Sequence, residues 1–152
     1  MIQISLSEFA DKLHEIISVI DKELVRKQEN ELYKGKITLP QFVILNFLYT
    51  KGESKMTDLA RFMDVSAAAM TGIVGRLVRD GYVVRANDPE DRRIIKVKLT
   101  PRSNKLVRKI NKEKRQMVIN IFGRICEADR QDCLRIFMEI KDILTKQNPT
   151  IK

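Results

Sequence analysis

The stretch from Asp88 to Thr100, Asp-Pro-Glu-Asp-Arg-Arg-Ile-Ile-Lys-Val-Lys-Leu-Thr, restricts the fold more than any other part of this chain. Asp-Pro starts a turn, because the proline ring fixes its own φ and the aspartate accepts hydrogen bonds from the backbone ahead of it. Ile95, Val97 and Leu99 then alternate with Lys96 and Lys98, the period of two of a strand with one face on a core. Tyr82-Val83-Val84, just upstream, is apolar and suited to pair back antiparallel. The expectation is a short hairpin with Arg85, Arg92 and Arg93 near its tip, where long cationic side chains reach a polyanion. Taken alone, the same residues also describe an exposed turn charged only for solubility.

The preceding segments decide between these. Thr38-Leu-Pro-Gln has the pattern of a helix start, with Thr38 as N-cap, Pro40 in the first turn and Gln41 three residues on. Phe42, Leu45, Asn46 and Tyr49 follow at helical spacing, while Val43, Ile44, Phe47 and Leu48 make the segment apolar nearly all round, which predicts a buried central helix. Lys51 to Ser54 breaks the chain. Met56, Leu59, Ala60, Phe62 and Met63 mark a second, short helix, Asp64-Val65-Ser66 a turn, and Ser66 an N-cap. A third helix is expected from Ala67 to Asp80, stopped by Gly81 as the residue after its C-cap. Two short helices and then a hairpin outline a winged helix-turn-helix.

In the third helix Met70, Ile73, Val74 and Leu77 form one inward stripe. The opposite face carries Ala67, Ala68, Thr71, Gly72, Gly75, Arg76 and Arg79. Two glycines inside a helix cost about 1 kcal/mol each relative to alanine, so a face this small suits a bulky partner that approaches the backbone closely. Duplex DNA is such a partner: Ser66 and Thr71 can donate to phosphates or base edges, Ala67 or Ala68 can touch a thymine methyl, and Arg76 can reach a guanine edge. Another part of the same protein would be accepted by small residues equally well.

The remainder is read as helices. Leu6, Phe9, Leu13, Ile16, Ile17, Ile20 and Leu24 form a long apolar stripe, capped by Ser5 or Ser7. Thr100-Pro101 caps a helix bearing Leu106, Ile110, Met117, Ile121 and Ile125, and a last helix from about Asp129 carries Cys133, Ile136, Phe137, Ile140 and Leu144. These stripes need cover, from a second copy in a two-fold dimer or from the rest of the same chain. The chain has 152 residues, enough for one core plus an interface layer, and a net charge of +9 that suits a polyanionic partner. No apolar run approaches a membrane span, and no signal-peptide pattern opens the chain, so a cytoplasmic protein without membrane association is expected.

Residues Leu39 to Thr100 resemble the DNA-binding core of the multiple-antibiotic-resistance-regulator (MarR) family. The resemblance rests on Leu59-Ala60, Val65-Ser66, Thr71, Val74, Arg76-Leu77, Gly81-Tyr82-Val83 and, above all, Asp88-Pro-Glu-Asp-Arg-Arg through Val97-Lys-Leu-Thr100. It implies a mainly α fold with a small β-hairpin wing, a winged helix-turn-helix core flanked by dimerisation helices. It divides the chain into residues 1–35, an N-terminal helix of the dimerisation region, 36–101, the DNA-binding domain, and 102–152, the C-terminal dimerisation helices. It further implies an obligate homodimer on pseudo-palindromic double-stranded DNA, acting as a repressor, and a small anionic or aromatic effector that releases it. The recognition-helix contacts would come from Ser66, Ala67, Ala68, Thr71, Gly72 and Arg76. The wing contacts would come from Arg85, Asp91, Arg92 and Arg93, with Asp91 and Arg93 as the pair that holds the wing and the arginine in the minor groove. Gly72 and Gly75 depart from the family pattern, where larger polar or charged residues are common.

Other chemistry has little support. Cys126 and Cys133 are seven residues apart and His14 is the only histidine, so neither a metal site nor a cofactor is expected. Relatives that sense oxidants do so through a cysteine in the first helix, which this chain lacks. Buried apolar packing is the expectation for both thiols. Asp88, Glu90 and Asp91 belong to a turn beside an arginine pair, and no nucleophile–base set or phosphate-cradling loop accompanies them, so the chain is read as non-enzymatic. The alternative to a DNA-binding regulator is a winged-helix adaptor that binds protein. Its interface would more often display exposed aromatics.

Overall fold

The computed structural model describes residues 4–27 and 37–147. The expected boundary between residues 35 and 36 and the side chain of Leu24 lie outside the described residues. The elements run α1 (Leu6–Lys27), α2 (Leu39–Lys51), β1 (Ser54–Lys55), α3 (Met56–Phe62), α4 (Ala67–Arg79), β2 (Val83–Asn87), β3 (Ile95–Leu99), α5 (Pro101–Phe122) and α6 (Glu127–Gln147). The chain forms two compact units, Met1–Leu39 and Pro40–Lys152.

In the first unit α1 opens with a capping box. Ser5 Oγ accepts from the Glu8 amide at 3.2 Å while the Glu8 carboxylate accepts from the Ser5 amide at 2.8 Å. Of the two serines expected to cap, Ser5 does so, and its amide holds the Glu8 carboxyl below its usual range.

The second unit is built on α2. Phe42, Ile44, Leu45 and Leu48 are buried, as an all-round apolar helix requires. Leu59 of α3 and Met70, Val74 and Leu77 of α4 pack into the same core, whereas Ile73 is only half-buried. Phe47 stacks on Phe62, ring centroids 4.2 Å apart, and ties α2 to α3. The turn between α3 and α4 passes through Asp64 at φ 50°, a left-handed conformation that aspartate tolerates better than most residues. Val65 N–H then donates to Ala60 O at 3.1 Å and closes the turn.

The wing contains more than the expected hairpin. β2 and β3 pair antiparallel with Val83 opposite Leu99 and Asn87 opposite Ile95. β1, which begins at the end of the stretch read only as a chain break, adds to the far side of β3, giving the order β1-β3-β2. Val83 and Val97 are fully buried on the core face.

α5 starts as expected. Thr100 caps it by accepting from the Ser103 amide, with Pro101 at the first position. Leu106, Val107 and Ile110 seat its first half on the core. Asn111 Nδ2 donates to Asn46 Oδ1 at 2.9 Å, and Lys114 Nζ stands 4.5 Å from the Phe42 ring centroid, so α5 is fastened to α2. Burial there lowers the Lys114 pKa. At the α5–α6 corner Arg130 Nη1 donates to the Ile125 and Phe122 carbonyls. Cys126 is exposed rather than buried, and its Sγ sits at the start of α6 within 3.0 Å of Asp129 Oδ2. Cys133 is half-buried. Among the described residues no helix is long and apolar enough to cross a membrane.

Candidate nucleic-acid interface

α4 begins where Ser66 Oγ accepts from the Ala69 amide at 3.2 Å, so the hydroxyl oxygen serves the helix while its hydrogen stays available. Ala67, Ala68, Thr71, Gly72 and Arg76 are exposed along one side, and nothing lies within 4 Å of where a Cβ on Gly72 would stand. Arg76 makes no ion pair among the described residues, whereas Arg79 is held by Asp80 at 3.3 Å. The helix ends in a Schellman arrangement. Tyr82 N–H donates to Leu77 O at 2.8 Å and Gly81 N–H to Val78 O at 3.0 Å, with Gly81 at φ 74°.

Arg85 is not near the tip. It occupies the middle of β2 opposite Val97, and cross-strand partners share a face. Val97 is buried, so Arg85 is directed to the same side as the core and runs along α4. Its Nη2 donates to Thr71 O at 3.2 Å and lies 3.8 Å from where a Cβ on Gly75 would be. Both explanations of the small helix face therefore have a place: Gly75 leaves room for a side chain of the same protein, and Gly72 faces open space.

The turn that follows is organised by two carboxylates. Asp88 Oδ1 accepts from the Glu90 amide at 2.9 Å and the Asp91 amide at 3.4 Å, and Asp88 Oδ2 pairs with Lys96 Nζ at 2.7 Å. The Lys96 hydrogen bond, with the Glu90 amide behind it, holds the Asp88 carboxyl down at about 2. Asp91 Oδ1 accepts from the backbone amide of Arg93 at 2.9 Å, so the Asp-x-Arg pair holds the wing through the main chain rather than through the guanidinium. Arg92 and Arg93 project from the turn, exposed and without an ion pair among the described residues.

Lys96 and Arg102, which spacing alone places only on a strand face and near the wing base, have specific partners. Lys96 lies directly across from Ala86 on one side and Lys55 on the other. Each of its carboxylate partners, Asp88 at 2.7 Å and Glu53 at 3.5 Å, is two residues along from those positions on the same face. Period-two alternation would have found both pairs had the register and β1 been known. Arg102 donates to Asp80 O at 3.2 Å and lies 4.8 Å from the Tyr82 ring centroid. Beside it Thr100 Oγ1 donates to Gly81 O at 3.0 Å, and the buried Ser103 hydroxyl donates to Tyr82 O. The exit of α4 and the entry of α5 are thus one hydrogen-bonded junction.

Residues 37–95 match the model of the MarR family. The chain is 30% identical over 116 residues to the HTH-type transcriptional regulator FarR of Neisseria gonorrhoeae, spanning 74% of this chain and 80% of that one. It is 27% identical over 116 residues to the HTH-type transcriptional regulator YpoP of Bacillus subtilis, 76% of this chain and 82% of the other. Streptococcus pneumoniae FabT, solved in complex with DNA, shares the fold with a TM-score of 0.75 over 94% of this chain and 97% of its own, at 17% identity. The relatives are named as regulators, not enzymes.

Proposed function

The chain belongs to the MarR family of DNA-binding transcriptional regulators, and from that premise we propose that it acts as a homodimeric repressor on a pseudo-palindromic operator. The observation that carries this reading is the pairing of a recognition helix whose outer side is small and exposed with a wing that ends in two uncommitted arginines. In this reading α4 lies in the major groove, with Ser66, Ala67, Ala68, Thr71, Gly72 and Arg76 toward the bases. Arg92 and Arg93 reach the adjacent minor groove, and Asp91 shapes the turn that presents them. Residues 36–101 form the DNA-binding domain, and residues 1–35 and 102–152 the dimerisation region of a cytoplasmic protein.

The dimer is supported by exposed apolar side chains on three helices. Phe9, Ile16 and Ile20 of α1, Val118 and Ile121 of α5, and Leu134, Phe137, Ile140 and Leu144 of α6 are all open to solvent in the single chain. A small anionic or aromatic effector would release the operator by binding one half-site spacing better than another.

The test is fluorescence anisotropy on duplex DNA from upstream of the protein's own gene, beside a shuffled duplex, at several salt concentrations. Preference for the native duplex by about a thousandfold, with two protomers per site, is the expected result. Equal, steeply salt-dependent binding to both would leave a basic protein without an operator there, and no binding at low salt would favour the adaptor. On the preferred duplex Arg93→Ala should weaken binding and lower the salt slope by roughly 1, the share of one phosphate-region cation. An unchanged slope removes Arg93 from the interface.

A further inference from the structure

We infer that Arg85, a residue of the wing's first strand, reads a guanine in the major groove at the centre of the recognition helix, replacing the long side chain that Gly72 and Gly75 omit. The inference rests on the DNA-binding reading above and adds to it the residue that sets sequence preference.

Four observations carry it. The β2–β3 register turns Arg85 toward α4 instead of outward with Val84 and Ala86. Its guanidinium crosses the helix at Thr71 and Gly75, where any side chain longer than a methyl at position 75 would contest the space. One nitrogen, Nη2, is held by the Thr71 carbonyl, and among the described residues Arg85 makes no ion pair. The helix surface at Gly72, next to the Thr71 carbonyl that holds Nη2, is open, with nothing within 4 Å of where a Cβ would stand, so a base edge can approach there.

A guanidinium tethered at one nitrogen is a partly organised fork. Guanine presents O6 and N7 side by side in the major groove, and arginine meets them with two parallel N–H groups. Holding the side chain before DNA arrives removes part of the rotamer entropy that a free surface arginine loses on binding. Arg79, an outward cation of α4 itself, is occupied by the Asp80 carboxylate, which would compete with a base. Arg85 has only a neutral carbonyl, which positions it without neutralising it.

Selection from a randomised duplex pool tests the assignment, with wild type, Arg85→Ala, Arg85→Lys and Gly75→Met carried in parallel. Wild type should enrich a two-fold motif containing one guanine that Arg85→Ala no longer prefers, a loss of about tenfold to a hundredfold at that position in each half-site, with the other positions kept. Arg85→Lys should lose the same guanine, because an ammonium lacks the fork. Gly75→Met leaves Arg85 in the chain but fills its place with a side chain that donates no hydrogen bond, and should lose the same position. An unchanged motif in Arg85→Ala, with affinity lowered uniformly, would make Arg85 a phosphate contact or a brace and overturn the inference. If Arg85→Ala does not fold, an unchanged motif in Gly75→Met overturns it. A wild-type protein that enriches no motif overturns the operator reading itself, an outcome distinct from loss at one base pair.

Discussion

Asp88 shows how much of the wing depends on one carboxylate. It accepts from two backbone amides and pairs with Lys96, which also reaches Glu53. Removing it in Asp88→Ala should speed hydrogen exchange at the Glu90 and Asp91 amides by roughly tenfold, the worth of one net hydrogen bond. Unaltered exchange would show that the turn holds its shape without the side chain. The pH dependence has a definite sign. The folded pKa of Asp88 is depressed from 3.8 to about 2, so its stabilisation is complete above the unfolded value and lost as pH falls through the folded one. The Lys96 pKa is raised above 10.5, first by the Asp88 hydrogen bond, so its stabilisation is complete below 10.5 and lost only as pH rises through the higher folded value. Across neutral pH this pair leaves the wing unchanged, and protection of the Glu90 amide, taken relative to its intrinsic exchange rate at each pH, should fall only below about pH 4. Single residues were legible where a local rule acts: Ser66 and Thr100 cap because a short hydroxyl suits a helix start. Arg85 and Lys96 were not, because their roles depend on which strand face they occupy, and that is fixed by register rather than by neighbours in sequence.

At the scale of elements, the helices were legible from spacing and punctuation. α4 ends one residue earlier than expected, with Asp80 as C-cap and Gly81 after it. Gly81 is the place where a backbone requirement can be measured. Its φ is 74°, while a Cβ there would meet only the Arg102 guanidinium at an ordinary 3.8 Å. Gly81→Ala should therefore cost about 1–2 kcal/mol from conformation alone, read by urea denaturation. A neutral result would mean that the α4–β2 turn relaxes. β1 escaped notice because two residues, Ser54 and Lys55, give no period to read, and their pairing is supplied by β3 more than forty positions away. The exposure of Cys126 was missed because a thiol at a helix start looks, in sequence, like one more apolar residue of a stripe.

Among the described residues of the whole molecule, many large apolar side chains on α1, α5 and α6 are exposed, and an apolar patch of that kind marks an interaction surface. Phe137 on α6 is 60% exposed and Ile16 on α1 is 54% exposed. The proposed dimer predicts that Phe137→Glu, at an exposed position of α6, yields a folded monomer by sedimentation at micromolar concentration. Its operator affinity should fall by about a hundredfold or more, because two half-sites no longer bind as one linked unit. A dimer of wild-type strength would move the interface away from this face of α6. Sequence alone could not separate self-cover from cover by a second copy, since the same stripe serves either.

The hydrogen-bonded junction between α4 and α5 has a mechanical consequence. Thr100, Arg102 and Ser103 bind the backbone at Asp80, Gly81 and Tyr82, so the base of α5 cannot turn without the end of α4 turning with it. α5 has 22 residues, a rod of about 33 Å. Swung about that base together with the core on which its first half is seated, a tilt of only about 6° carries its far end through about 3.4 Å, the rise of one base pair along a DNA strand. On the proposed reading the protein is geared: a displacement at the distant end of this rod would return to α4 as a change of angle, and a small one would put that helix out of step with the groove.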